Sequence, residues 1–315
     1  MEKIAAEIFE RYGMSLAHAE RAGGWTNCVW LNGDIVLRLS NEPGSDRIRR
    51  EVALGSLLPE SVGYPLTLAT GVEQGFEWSL TRRLNGTHAH DAWLQLSLDQ
   101  KKDLLRQVWT IMTSLQAQNV EQIDHLVKHH PWYSTFQPDE SRAFLDRFAR
   151  DAVLTTSEID VLEQILNDFF LVLPGSSMVL NHGDITVENI FWDTDGRVHL
   201  LDFEHALIAP PQVDVYSFLR IAFHPPHDDY LKMDAVETDT LRKEAVKYAG
   251  TKLANRRDVA LLLGCAVLIS LRRLEIWWNG AEDKNGFRDW EPYLCLKSFT
   301  EQKGGLLHMA VGHLL

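Results

Sequence analysis

Residues 181–205, NHGDITVENIFWDTDGRVHLLDFEH, constrain this chain more than any other stretch. Two apolar, strand-like runs flank Asp193-Thr194-Asp195-Gly196. Asp-Gly between such runs predicts a hairpin closed by a two-residue type I′ turn. That turn pairs Thr194 with Arg197, and the register continued outward sets Asn189 opposite Asp202. Directly opposed residues share a face, with Cβ atoms about 5 Å apart. An amide oxygen and a carboxylate at that spacing suit one hard cation such as Mg²⁺. This ion takes oxygen ligands at about 2.1 Å and is commonly completed by phosphate oxygens. Asp184 precedes the first strand, in a loop that reaches the same point. The expectation depends on register, because a slip of one residue sends every side chain to the other face.

His182-Gly183-Asp184, then Asn189, then Leu201-Asp202-Phe203-Glu204 form a spaced pattern far more specific than a lone glycine-rich loop. It resembles the catalytic and metal loops of the aminoglycoside phosphotransferase and choline kinase-like family, small-molecule relatives of the protein kinases. The resemblance implies an α+β, two-lobed protein-kinase-like fold, with a small β-rich N-lobe and a larger, mainly helical C-lobe. It implies that Asp184 orients and deprotonates an acceptor hydroxyl. Asn189 and Asp202 would then hold Mg²⁺ against the phosphates of ATP, with GTP as the other option. Transfer through a loose transition state is mostly positioning and charge neutralisation. His182 is expected to brace the loop by hydrogen bonding rather than to titrate.

The rest of a nucleotide site follows in order. Residues 22–39 read AGGWTNCVWLNGDIVLRL, a hairpin with a glycine-containing entry. Gly23 and Gly24 lack a Cβ, so their backbone can approach phosphates closely. By resemblance, Gly24, Thr26 and Asn27 belong to the loop that covers the nucleotide. Arg38 stands where kinases place a strand cation, commonly Lys, on the α and β phosphates. Its planar fork gives a different phosphate geometry from that of a lysine. Glu51, in a helical run, resembles its ion-pair partner. Residues 78–87, WSLTRRLNGT, resemble the hinge between lobes. Backbone groups of Arg82 and Leu84 would bind adenine, and Thr81 would line its pocket. The lobes are expected at 1–84 (nucleotide binding) and 85–315 (catalysis and acceptor binding).

Helix signals dominate after Gly86. Ser97 to Gln100 reads as a capping box opening a run to about Gln118. Ser157 with Asp160 starts another, broken by Pro174-Gly175 before a strand at Met178-Val179-Leu180. Asp214 opens a helical stretch and is expected both to suit its dipole and to hold the catalytic loop. The apolar run at 259–271 is short of the roughly 20 residues that cross a bilayer and reads as a buried helix. Cys28, Cys265 and Cys295 show no metal-type spacing, and residues 1–12 show no secretory core, so a reduced cytoplasmic chain is expected.

A net charge of −13 and a pI near 5.4 argue against a nucleic-acid partner, which needs a basic surface. A small-molecule hydroxyl acceptor is expected, with an acidic cleft suiting a cationic one such as an aminoglycoside. Metabolic acceptors (homoserine, choline or a sugar) are the alternative, as is a pseudokinase that binds nucleotide without turnover. An unrelated binding protein would take no nucleotide at all. Candidate acceptor walls are residues 224–230, HPPHDDY, the stretch Glu275-Ile276-Trp277-Trp278, and Glu204, beside Asp202.

Overall fold

A computed structural model describes residues 1–23, 27–127, 136–223 and 235–315. The amino-terminal part is built from helix α1 (Glu2–Arg11), strands β1 (Glu20–Ala22), β2 (Asn27–Asn32) and β3 (Ile35–Ser40), helix α2 (Arg47–Gly55), and strands β4 (Thr67–Glu73) and β5 (Phe76–Arg82). Its five strands form one antiparallel sheet in the order β1-β2-β3-β5-β4. Period-two alternation sorts the two faces. Leu37 and Leu39 share a buried core with Trp30, Trp78, Leu80 and the apolar stripe Ile4, Ala5, Ile8 and Phe9 of α1. The intervening positions point the other way. Pairing sets Val29 and Ser79 beside Arg38, and Thr81 beside Val36, so Arg38 and Thr81 share the face opposite α1.

Helix α2 lies against this sheet because a buried carboxylate fixes its start. Glu77, only 1% exposed on β5, accepts the Ile48 N–H at 3.1 Å and pairs with Arg49. The carboxylate satisfies an orphan first-turn amide and suits the positive end of the dipole.

The remainder is mainly helical. It comprises β6 (Gly86–His88), α3 (Ala89–Ala92), α4 (Leu98–Gln116), α5 (Val120–Ile123), α6 (Pro138–Arg150), α7 (Thr156–Val172), β7 (Val179–Asn181), β8 (Ile190–Asp193), β9 (Val198–Leu200) and β10 (Leu207–Ala209). Helices α8 (Gln212–Phe223), α9 (Ala235–Ala249), α10 (Arg256–Gly280), α11 (Glu291–Glu301) and α12 (His308–Val311) complete it. Its core is one continuous apolar cluster in which α10 is buried from Leu261 to Leu271. No described helix is long and apolar enough to cross a membrane.

Ser97 and Gln100 make both reciprocal bonds of a capping box on α4. The second box starts two residues before the expected Ser157. Thr155 caps α7, and the Glu158 side chain returns to its backbone at 2.7 Å. Glutamate at the third helical position completes this box, a role Asp160 is too far along to fill.

Two small sheets carry the central motif. Strand β10 pairs with β7, and β8 pairs with both β9 and β6. The chain passes from β5 into β6 at a site only glycine fills. A Cβ on Gly86 would lie 2.2 Å from the Trp192 carbonyl oxygen.

Candidate active site

The hairpin register differs from the sequence expectation by one residue. Strand β8 pairs with β9 as Ile190 to Leu200, Phe191 to His199 and Trp192 to Val198. Asp193, not Thr194, faces Arg197, with its N–H on the Arg197 carbonyl at 2.9 Å. The Asp193 carboxylate accepts the N–H groups of Asp195 and Arg197, each at 2.8 Å, closing an Asx-type three-residue loop. Asn189 therefore faces Leu201, whose N–H reaches the Asn189 carbonyl at 2.9 Å, and not Asp202.

The direction of the Asp202 carboxylate is set by its own backbone turn instead. Strand β9 ends at Leu200, and Asp202 adopts φ +65° and ψ 69°, a left-handed conformation uncommon outside glycine. That turn, rather than strand pairing, aims its carboxylate at the sheet above, where Oδ1 lies 3.4 Å from Arg38 Nη2. Arg38 also donates to Glu51 at 2.7 Å, and the Glu51 side chain is 2% exposed. Burial pulls the Arg38 guanidinium down, but the carboxylates of Glu51 and Asp202 outweigh it, so its pKa stands well above the ordinary value. Tyr64 touches Glu51 from the loop before β4, at 3.4 Å. Its hydroxyl is pushed up by burial and by Glu51, so it stays protonated as a donor.

Asp184 and Asn189 form the other half. Asn189 Nδ2 donates to the Asp184 carbonyl at 3.0 Å and to its carboxylate Oδ2 at 2.9 Å. With the nitrogen so used, the amide oxygen of Asn189 and Oδ1 of Asp184 accept no hydrogen bond among the described residues. The loop beneath them is tied down at three points. His182 Nδ1 accepts the Asp184 N–H at 3.2 Å, and Nε2 donates to the Leu201 carbonyl at 2.9 Å. Burial holds the His182 pKa down, which fits a neutral ring acting as a brace. Asp214, wholly buried on α8, accepts the N–H groups of His182 and Gly183 at 2.7 and 2.9 Å. Its burial pushes the carboxyl up to about 7, against those two bonds. Gly183 sits at φ +84°, and a Cβ there would lie 2.3 Å from the His205 carbonyl oxygen.

Among the nucleotide candidates, Asn27 and Thr81 share the sheet face of Arg38. Gly24 and Thr26 lie outside the described residues, as does the 224–230 acceptor stretch. The Arg82 N–H is committed to the Leu66 carbonyl, and its side chain pairs with Asp34. The Arg82 N–H is thus not open to a base, and Leu84 flanks a cleft of about 570 Å³ with Gly33, Asp34, Arg83, Asn85, Gly86 and Thr194 that none of Arg38, Asp184, Asn189 or Asp202 lines. Trp277 remains 38% exposed, whereas Trp278 packs on Phe287 and Trp290. Tyr64 went unnoticed in the sequence because no local motif surrounds it.

A bound Mg²⁺ needs hard oxygen donors, and Asn189 and Asp202 supply an amide oxygen and a carboxylate. Among the described residues no group of three His, Cys, Asp or Glu side chains is placed to hold a metal alone. Two protein ligands completed by phosphates are the usual arrangement for this ion.

The sequence profile of the phosphotransferase enzyme family matches residues 18–245. No curated protein sequence matches the chain. Among solved structures, the GDP complex of aminoglycoside 2′-phosphotransferase-IIIa is similar with a TM-score of 0.67 at 18% identity, covering 94% of this chain and 97% of that one. A ternary complex of aminoglycoside phosphotransferase APH(4)-Ia with ADP and hygromycin B gives 0.65 at 16% identity, over 97% and 99% of the two chains. A gentamicin–APH(2″)-IIa complex gives 0.58 at 17%, over 95% and 96%. At these identities the likeness shows the two-lobed, kinase-like fold. The profile covers well over half of the sequence and spans Arg38, Glu51, Asp184, Asn189 and Asp202, and on that ground the chain belongs to the phosphotransferase enzyme family.

Proposed function

We propose that the protein transfers the γ-phosphoryl group of a magnesium nucleotide, ATP in the first instance, to a hydroxyl of a small molecule. The observation that carries this reading is the joining of two clusters across the cleft. Asp184 and Asn189 are bonded to each other, Asp202 pairs with Arg38, which Glu51 holds, and His182 bonds both the Asp184 N–H and the Leu201 carbonyl beside Asp202. Solved relatives in complex with GDP, ADP and AMP-PNP support a nucleotide co-substrate. Relatives bound to kanamycin, gentamicin and hygromycin B support a small-molecule acceptor.

In this reading, Asp184 Oδ1 accepts the proton of the attacking hydroxyl while Asn189 holds Oδ2. Arg38, fixed by Glu51, binds the α and β phosphates from the sheet, and Asn27 and Thr81 lie on the same side. Asn189 and Asp202 would hold Mg²⁺, which neutralises phosphate charge when bound. Leu84 and the Arg82 carbonyl would meet the base. Gly24 and Thr26 keep their assignment to the covering loop. The lobes divide at 84/85, where the chain leaves β5 for β6. A pseudokinase is disfavoured by the open Oδ1 of Asp184, an acceptor without a partner among the described residues.

The test is a thermal-shift titration with MgATP and MgGTP, followed by a phosphate-transfer assay across hydroxyl acceptors. Binding of either nucleotide with acceptor-dependent turnover is expected. A chain whose melting temperature ignores both nucleotides would overturn the reading.

A further inference from the structure

Beyond the His182–Asp184 loop, the wall made by α8, α10 and the start of α11 gathers two arginines on one carboxylate. Arg220 on α8 and Arg273 on α10 both pair with one carboxylate, Glu291 at the first position of α11. Arg220 Nε meets Oε1 at 3.2 Å, and Arg273 Nη1 meets Oε2. All three side chains are largely buried, at 15%, 19% and 8% exposure. A guanidinium offers five N–H donors. Each of these arginines uses one nitrogen on Glu291, and the remaining ones donate to no acceptor among the described residues. Two cations thus share one carboxylate in a chain whose net charge is −13.

The wall adjoins the Asp184 loop, because the helix α8 that carries Arg220 also carries Asp214, which holds the His182 and Gly183 amides. The Asp184 carboxylate is among the charges that raise both guanidinium groups. Arg273 lies 5.7 Å over the ring of Trp277, whose indole is partly open and meets Trp290 edge-on. Burial and the like charge of Arg220 pull Arg273 below the ordinary arginine pKa even though Glu291 opposes them. Holding two partly desolvated cations against one anion is costly unless a further anion arrives. A polycation brought to this wall would meet repulsion instead.

We propose that the acceptor carries, besides its hydroxyl, an anionic oxygen group (a carboxylate or a phosphate) that seats on Arg273 and Arg220, with its carbon frame against Trp277. This deepens the small-molecule kinase reading and rests on it. Planar, bidentate capture of such a group is what paired guanidinium donors provide. The anion would anchor the acceptor at one end and leave its hydroxyl to Asp184 at the other.

The test uses the full chain with MgATP and a matched panel. Glucose and glycerol are neutral, glucuronate and glycerate carry a carboxylate, glucose 6-phosphate carries a phosphate, and kanamycin and choline are cationic. The anionic members should give the highest kcat/KM, and comparing the carboxylates with the phosphate identifies the group. In Arg273→Gln the ratio of anionic to neutral kcat/KM should fall about tenfold or more, through KM, the scale of one charge-assisted bond. Arg273→Lys should recover part of that ratio. If no panel member is phosphorylated, glucuronate or glucose 6-phosphate should still raise the melting temperature of the wild-type MgADP complex more than that of Arg273→Gln. Preference for kanamycin or choline overturns the proposal. So does an Arg273→Gln defect equal for all acceptors, which would assign the arginines to Asp184, or one confined to the KM for ATP. Absence of any anion-induced shift also overturns it while leaving the kinase reading standing. A chain that binds no nucleotide sinks both.

Discussion

Asp184 has one carboxylate oxygen held and one open, and that asymmetry makes a sharp prediction at the scale of a single side chain. Asp184→Asn keeps the shape and leaves Asp202, Arg38 and Glu51 untouched. Loss of a positioned base costs on the order of 10²–10⁴ in rate. Acceptor-dependent kcat should fall by that much, while the MgATP-induced rise in melting temperature persists. Near-normal turnover would refute the assignment. Arg38 calls for a different measurement, because it holds two carboxylates at once. Arg38→Lys retains the charge but loses the fork that spans Glu51 and Asp202. KM for ATP should rise several-fold with a smaller change in kcat, read from initial rates at saturating acceptor. An unchanged KM would remove Arg38 from the phosphate site.

At the scale of elements, the His182–Asp184 loop is set by what lies beneath it. Asp214 shows how, and its titration gives the sign. An aspartate in the unfolded chain ionises near 4, whereas this one stays protonated to about 7. Between those values the folded state holds the extra proton, so this group's contribution favours folding at low pH and is withdrawn as pH rises. In urea unfolding of wild type and Asp214→Asn, the wild type should lose stability relative to the variant from pH 4 to pH 7. A wild type that instead gains stability over the variant as pH rises would mean that the two N–H bonds hold the carboxyl below the ordinary aspartate value. The same elements show what the sequence disclosed. The spacing of His182-Gly183-Asp184, Asn189 and Asp202 was legible because each residue type has a distinct chemical job. Their register was not. Asp195-Gly196 favours a two-residue turn, yet Asp193 accepts two backbone amides and closes a loop of three. A side chain competing for local N–H groups outweighed the dipeptide preference. The left-handed Asp202 then turns its carboxylate to Arg38, a contact that strand periodicity does not encode. The helix start at Ser97 was legible because one hydroxyl stands there, and the start of α7 was misplaced because Thr155-Thr156-Ser157 offers several hydroxyls to the same box.

For the whole molecule, the informative contacts span the cleft, and sequence spacing alone cannot disclose them. Arg38 and Asp202 are 164 positions apart, as are no two members of a local motif. Tyr64 and the Arg220–Glu291–Arg273 triad likewise become visible only once distant segments meet. The two lobes are joined by the chain at Asn85-Gly86, by Leu54 and Val62, which share the buried apolar cluster of the helical lobe, by the Arg38–Asp202 pair at the mouth, and by His199, whose Nδ1 lies 2.8 Å from the Gly63 carbonyl. A partly exposed ion pair at 3.4 Å contributes little by itself. A nucleotide that binds Arg38 from above and, through Mg²⁺, Asn189 and Asp202 from below should add to the polar contacts across the cleft mouth. Ligand at about 100 times its dissociation constant stabilises a folded protein by about 2.7 kcal/mol. MgATP at that excess should raise the melting temperature by a few degrees for a chain of this size. ATP with EDTA should give a clearly smaller shift, because the lower lobe then loses its bridge to the phosphates. Asp202→Ala should reduce the MgATP shift toward the EDTA value and leave the EDTA value itself little changed. Equal shifts with and without the metal would show that the lobes are joined by the nucleotide alone, and that Asn189 and Asp202 do not carry it.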